Sequence, residues 1–258
     1  MLVPLLAGRF GKALKKAHAR LTLREGEVWF VDRGRTTDER QLRNDLARAF
    51  RRVSARAKCA HSDMEVLRMA DFLLASPLTG PMVECGCFKG GATAKLSLVA
   101  RATGRRLIVC DSFEGLPPLA AEDHGLVTTH HEPYAQGMYA GTLDEVKSNV
   151  EALGAAETCE YRKGYFAATL LALPEHNLSF AFVDVDLISS ARDCLRSLWP
   201  RLADDGRLYL HEARDLRFVH GITDAAWWRA ELGQPPPLLI GAGFGCGDGA
   251  PQLAYFDK

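Results

Sequence analysis

The sequence lacks a long apolar run. Nowhere do about 18 hydrophobic residues follow one another, so a membrane-spanning helix is not expected. It lacks a disulfide framework. Its seven cysteines (Cys59, Cys85, Cys87, Cys110, Cys159, Cys194 and Cys246) are odd in number and scattered, with no CxxC pair. That favours a reducing, cytoplasmic setting. The opening MLVPLLAGRF has an apolar patch, but positive charges follow it and no small-residue cleavage site is evident, so no signal peptide is expected. Repeats and low-complexity tracts are missing. So is an RNP-type aromatic motif, and no nucleic-acid partner is expected. Net charge is missing too, with 32 Lys and Arg against 32 Asp and Glu. What remains is 258 residues with 47% hydrophobic and 25% charged content, which suits a soluble globular core and excludes collagen, coiled coil or a disordered tail.

The charge is unevenly spread. Residues 1–58 hold 15 Lys and Arg against 6 Asp and Glu. A basic arm can serve nucleic acid or an anionic membrane, but a solvated helical face packed on an acidic body or a second subunit is the reading adopted. Leu42, Leu46, Phe50 and Val53 recur at helical spacing, with Thr37 as the expected N-cap. A second helix is expected from about Asp63 through Met64, Leu67, Phe72 and Leu73, ending before Pro77. Residues 1–60 thus read as a basic helical extension, a lid or dimer contact, and 61–258 as the core.

After Pro81, strand-like and helical runs alternate. PMVEC, RRLIVCD, CEYRK, LSFAFVDVD and RLYLHE read as strands, and GGATAKLSLVARAT, TLDEVKSNVEAL and SSARDCLRSLW as helices. Thr142 with Glu145 forms a capping box. This alternation predicts an α/β fold, a Rossmann-like doubly wound sheet that is mostly parallel. PLLIGAG and QLAYFDK read as a closing antiparallel pair at the sheet edge.

Ligands of such sheets bind beyond the carboxyl ends of the strands. The first strand ends in Glu84-Cys85-Gly86-Cys87-Phe88-Lys89-Gly90-Gly91, a turn whose glycines let the backbone approach a ligand ahead of a helix N-terminus. It is not GxGxxG, which counts against a dinucleotide. The second strand ends in Asp111, placed to accept hydrogen bonds from ribose hydroxyls or to cap the next helix. Acid, Gly-rich turn and second acid form the pattern of S-adenosylmethionine sites, with Phe113 a candidate neighbour of adenine. Asp184 ends the fourth strand and His211-Glu212 the fifth. These three are the candidate metal ligands, with Asp184 and His211 the candidate catalytic residues. The alternative is an Asp184 bonded to loop amides and a neutral strand-end His211. Carboxylates suit Mg²⁺ or Mn²⁺, while an imidazole tilts the choice towards Mn, Fe, Co or Zn. Residues 116–141 form a long, lid-like loop holding Asp123, His124, His130, His131, Tyr134 and Tyr139. Its histidines are candidate proton acceptors or plain exposed side chains. Trp227-Trp228 reads as core or interface rather than a sugar platform.

The strings VECGCFKGGAT, VCDSFEGLPP, TLDEVKSNVEALG, RKGYFAATL and FVDVDLISSARDCLRSLWPRLADDGRLYLHE resemble, in order and spacing, the macrocin O-methyltransferase family over about residues 60–215. The resemblance implies a class I methyltransferase that uses S-adenosylmethionine on hydroxyls, mainly of deoxysugars in natural products, and a homodimer. It also implies roles. Glu84, Gly86 and Gly90 would line the methionine end of the cofactor, with Cys87 and Phe88 counted among the cofactor-binding residues. Asp111 and Ser112 would hold its ribose, with Gly164, Tyr165 and Phe166 around adenine. Asp184 would lie by the acceptor hydroxyl as a metal ligand. The chain departs from the family in having His211-Glu212 for two adjacent aspartates, and Ile188 and Ser189 for Tyr and Glu. Leu187 stands where catechol methyltransferases place a lysine base. The expected activity is O-methylation of a small, sugar-type acceptor, with Mg²⁺, Mn²⁺ or Fe²⁺ assisting. The competing readings are a different, iron-type reaction at Asp184, His211 and Glu212, and a binding module for RNA or a partner.

Overall fold

The computed structural model describes residues 21–128, 130–247 and 249–258. The opening apolar patch and much of the basic arm lie outside the described residues.

Residues 21–32 are helical (α1) and lead into α2, Thr37–Arg56. Thr36, not Thr37, caps α2: its hydroxyl accepts from the Glu39 amide at 3.1 Å. The cap side chain must reach the third amide of the helix, and Thr36 stands at that spacing. Leu46, Phe50 and Val53 are buried as the spacing predicts, but Leu42 stays exposed. A buried Arg43 sits beside it, donating to Asp71 at 2.7 Å and to the Phe30 carbonyl at 3.1 Å. Helix α3, Asp63–Ala75, starts with a full capping box of Ser62 and Glu65. Its first residue, Asp63, accepts from the wholly buried Lys95 at 2.6 Å and from the Ser54 hydroxyl at 2.6 Å. That ion pair ties α3 and α2 to α4, Gly91–Thr103.

The remaining elements alternate as the sequence predicts. Strands β1 (Met82–Cys85), β2 (Leu107–Asp111), β3 (Cys159–Lys163), β4 (Leu178–Val183), β5 (Leu202–Leu210) and β6 (Ala254–Asp257) form one sheet in the order β3-β2-β1-β4-β5-β6. All pairings are parallel except β5 with β6. Helices α5 (Leu143–Leu153), α6 (Phe166–Thr169), α7 (Ile188–Leu198), α8 (Leu216–Ile222) and α9 (Ala225–Leu232) fill the crossovers and the approach to β6. β4 is buried at every position, as its uninterrupted apolar run requires of a central strand.

Three local expectations change. PLLIGAG is no strand; it makes one isolated bridge, Ile240 with Tyr255. The prolines at 235–237 have no N–H to donate to a ladder. The Thr142 box is half made: its hydroxyl accepts from the Glu145 amide, but the Glu145 carboxylate turns to Lys89 at 2.7 Å. Helices α6 and α8 were not expected; each is too short to show a period. Trp228 is wholly buried and donates to the Ile222 carbonyl at 2.7 Å, so it is core.

Candidate active site at the strand carboxyl ends

The chain leaves β1 towards β2 and β3 on one side and returns to β4 and β5 on the other, so the strand order reverses between β1 and β4. A crevice opens at such a point, beyond the carboxyl ends. Backbone hydrogen bonds continue one residue past the strands and line the site up in a row. Gly164 donates to the Asp111 carbonyl at 2.9 Å, Gly86 to Cys110 at 3.0 Å, Asp184 to Cys85 at 2.9 Å, and His211 to Val183 at 3.0 Å. A cavity of about 400 Å³ lies over this row. Its wall includes Gly86, Phe88, Asp111, Ser112, Tyr165, Phe166, Asp184, His211 and Glu212.

Gly86 is required here. Its φ is +84°, and a Cβ would collide with the Asp184 carbonyl oxygen. Only a glycine lets the two backbones approach this closely. Four non-glycine residues of the same loops are also left-handed: Phe88 (φ 48°), Phe113 (57°), Asp186 (60°) and Glu212 (62°). Such strain, on the order of 1–3 kcal/mol each, gathers at functional loops.

Asp111 holds the first two loops together. Its Oδ2 accepts from the Cys87 amide and its Oδ1 from the Phe113 amide, both at 2.7 Å. A carboxylate has further lone pairs, so it can still receive a hydroxyl from the cavity. Ser112 closes a turn, donating to the Gly115 carbonyl at 2.8 Å and accepting from the Glu114 amide at 3.1 Å. The cavity wall does not include Glu84, Cys87, Gly90, Phe113 or Gly164. Cys87 and Phe113 are buried, and Phe113 joins the core cluster that includes Val146 and Val150 instead of facing the cavity. Asp111 takes both amides inward, and the side chains follow. Gly90 caps α4 with a φ of +78° and Gly164 anchors its loop to β2, so both act through backbone.

Glu84 is fully buried, and neither carboxylate oxygen has a hydrogen-bond partner among the described residues. Burial pushes its carboxyl up to about 8. An orphaned acid under a Gly-rich turn fits a site for a cationic or hydrogen-bond-donating ligand.

Asp184 lies between two imidazoles. Its Oδ1 is 3.2 Å from His211 Nδ1, and its Oδ2 is 2.8 Å from His61 Nε2. Burial opposes the charge of Asp184, yet the two histidines hold its carboxyl well below the usual range. Burial likewise opposes protonation of His61, but the charge of Asp184 outweighs it and lifts the imidazole to about 10. The same competition raises His211. His211 Nδ1 is also 3.0 Å from Glu212 Oε1, and its Nε2 is 3.6 Å from Glu65 Oε1. Two nitrogen donors and a carboxylate, with Glu212 adjacent, are a donor set that fits a divalent cation.

Linear spacing did not reveal His61, Glu65 or Asp186. The one local cue was a Cys-Ala-His run ahead of the Ser62 cap. Asp186 lines the cavity and accepts from Tyr134 Oη at 3.2 Å. Burial and the charges of Asp184 and Glu212 push its carboxyl up to about 8.

The 116–141 loop forms one cavity wall through Leu116, His130, Tyr134, Met138 and Tyr139. Buried Asp123 fastens it to α7, accepting from the Ser189 amide at 3.0 Å and the Ser189 hydroxyl at 2.7 Å. His124 and His131 are exposed and do not belong to the wall.

The family profile described as macrocin O-methyltransferase (TylF) matches residues 36–225. The chain belongs to this family. Among curated relatives, it is 32% identical to the 8-demethyl-8-(2,3-dimethoxy-alpha-L-rhamnosyl)-tetracenomycin-C 4'-O-methyltransferase of Streptomyces olivaceus, over 59% of this chain and 63% of that protein. It is 27% identical to the mycinamicin III 3''-O-methyltransferase of Micromonospora griseorubida, over 56% of this chain and 63% of that one. The chain thus spans just under two thirds of the length of these relatives. Among solved structures, the O-methyltransferase NovP superposes with a TM-score of 0.60 at 21% identity, covering 75% of this chain and 77% of NovP. That likeness shows the shared class I methyltransferase fold.

Proposed function

We propose that this member of the macrocin O-methyltransferase family is an S-adenosylmethionine-dependent O-methyltransferase. Its acceptor is a hydroxyl, of sugar type, on a small natural product. The observation that carries the reading is the row of Gly86, Asp111, Asp184 and His211 beneath one cavity at the strand-order reversal. The glycine cradle at Gly86 and the Asp111 carboxylate in the cavity wall fit the cofactor. Both relatives above are named as O-methyltransferases, one of them of a rhamnosyl-bearing compound.

The cofactor supplies a methyl group that is already electrophilic on its sulfonium. The chain's task is then to hold the acceptor oxygen in line, the main catalytic effect for such a transfer. Gly86 and Phe88 bound the methionine end, with Cys87 and Gly90 setting the loop behind them. Asp111 and Ser112 face the ribose, and Tyr165 and Phe166 border adenine. Asp184 orients the acceptor hydroxyl, and His130 of the cavity wall is placed to take its proton. A divalent cation held by Asp184, His211 and Glu212 would supply Lewis acidity to the acceptor hydroxyl. Tyr134 and Tyr139 form an aromatic part of the cavity wall. The setting is cytoplasmic and the assembly a homodimer, with the basic N-terminal helices as the contact.

Calorimetric titration of S-adenosylmethionine and S-adenosylhomocysteine tests the reading. Micromolar binding is expected, and no binding would overturn it. With an accepted hydroxyl substrate, Asp184→Asn is expected to abolish release of S-adenosylhomocysteine. Its cofactor affinity should stay within about tenfold, or roughly 1.4 kcal/mol. Full turnover in that variant would remove Asp184 from the chemistry.

A further inference from the structure

His61 is a buried histidine that the reaction above does not use. It sits in the connection between α2 and α3, one residue before the Ser62 cap. Its side chain is only 4% exposed. Its ring meets Phe182 edge-on at 5.0 Å and His211 edge-on at 4.8 Å. Neither ring nitrogen makes a well-directed hydrogen bond, although Nε2 is 2.8 Å from Asp184 Oδ2. A divalent ion placed beside Asp184 would engage the imidazole through its lone pair and displace its proton.

We propose that His61, Asp184 and His211 form a two-histidine, one-carboxylate site for a divalent transition-metal ion of the iron-to-zinc series, in preference to Mg²⁺. One donor atom from each residue lies within 4.8 Å of the others. An ion bonded at about 2.1 Å spaces its donors roughly 3–4 Å apart, so small side-chain rotations close the set. Mg²⁺ takes oxygen ligands and keeps its waters, whereas imidazole suits Fe, Co, Ni and Zn. The surroundings fit ligation. If His211 Nδ1 binds the ion, its Nε2 faces the buried Glu65 carboxylate at 3.6 Å, the outer carboxylate that orients a ligating histidine. Asp184 and His211 also line the cavity, which leaves the ion an open side towards an acceptor oxygen. Glu212, 3.0 Å from His211 Nδ1, is the reserve fourth ligand.

The purpose of the ion rests on the proposed methyl transfer, but the test does not. Chelator-stripped protein is titrated with Co²⁺, Zn²⁺ and Mg²⁺ by calorimetry, without cofactor or acceptor, and Co²⁺ is followed by its visible d–d absorption. One Co²⁺ or Zn²⁺ per chain is expected, bound at least about 100-fold more tightly than Mg²⁺. His61→Ala should lose at least about 100-fold in Co²⁺ affinity, since even an outer partner is worth about 10–100-fold. Its absorption should change while S-adenosylmethionine binding stays within about threefold of wild type. Should His61→Ala not unfold cooperatively, His61→Gln carries the same test with a side chain nearer in volume. Equal affinity for Mg²⁺ and Co²⁺, or Co²⁺ binding unchanged in the His61 variant, would overturn the proposal. No Co²⁺ binding at all would equally overturn it. Failure of the wild type to bind S-adenosylmethionine would sink the methyltransferase reading alone, because metal affinity is read separately.

Discussion

The buried pair of Asp63 and Lys95 is the strut that holds α3, and with it His61 and Glu65, against the sheet. Lys95 is wholly buried, and its ammonium is 2.6 Å from Asp63 Oδ1, with the Cys59 sulfur, at 3.6 Å, as its one further partner among the described residues. Asp63→Leu would leave that ammonium with no counter-charge. Breaking a buried pair on one side costs about 3–5 kcal/mol. For a chain of this size, with about 2–4 °C of Tm per kcal/mol, the expected loss is roughly 6–20 °C. Lys95→Met should cost less. Asp63 keeps the Ser54 hydroxyl at 2.6 Å and sits in the first turn of α3, where the helix dipole favours a negative charge. The double variant Asp63→Leu/Lys95→Met should be more stable than Asp63→Leu alone, because two apolar side chains can replace a buried ion pair at little or no net cost. Urea unfolding of the four proteins closes the cycle. The reasoning fails if Asp63→Leu costs less than about 1 kcal/mol, or if the double variant is no better than Asp63→Leu.

Two further substitutions probe the site and its wall. Gly86→Ala places a Cβ against the Asp184 carbonyl oxygen at a φ of +84°, so β1 and β4 must part at their carboxyl ends. Cofactor affinity should fall by at least about 100-fold, roughly 2.7 kcal/mol, and an affinity equal to wild type would refute the close approach. Asp123→Ala removes the acceptor of the Ser189 amide and hydroxyl and of the Ala120 amide at 2.9 Å. Limited proteolysis within 116–141 should speed up markedly, with a loss of about 1–3 kcal/mol in stability. Cleavage no faster than wild type would show that the wall is held by other contacts.

The site was partly legible before the fold was known, because strand ends are marked locally. VECGC, LIVCD, FAFVDVD and LYLHE are apolar runs that stop at an acid, a glycine or a histidine, and parallel pairing brings such stops to one edge. The structure brings Gly86, Asp111, Asp184 and His211 together at that edge, and the fold class followed from the alternation. Phe113 was misread because its direction depends on Asp111 taking the Phe113 amide, a choice between two loop geometries that no spacing records. Leu42 and Arg43 traded places because Asp71 of α3 supplies a buried partner for the guanidinium.

What the sequence determined by itself was the order of strands and helices, the Gly-rich turn after β1 and the polar stops of each strand. These are short-range matters of periodicity, turn chemistry and burial. The tertiary structure alone decided that His61, more than 120 residues upstream of Asp184, reaches the same carboxylate as His211. That meeting depends on the Asp63–Lys95 strut and on the packing of α2 and α3 over α4, and long-range packing of this kind leaves no periodic trace in the chain.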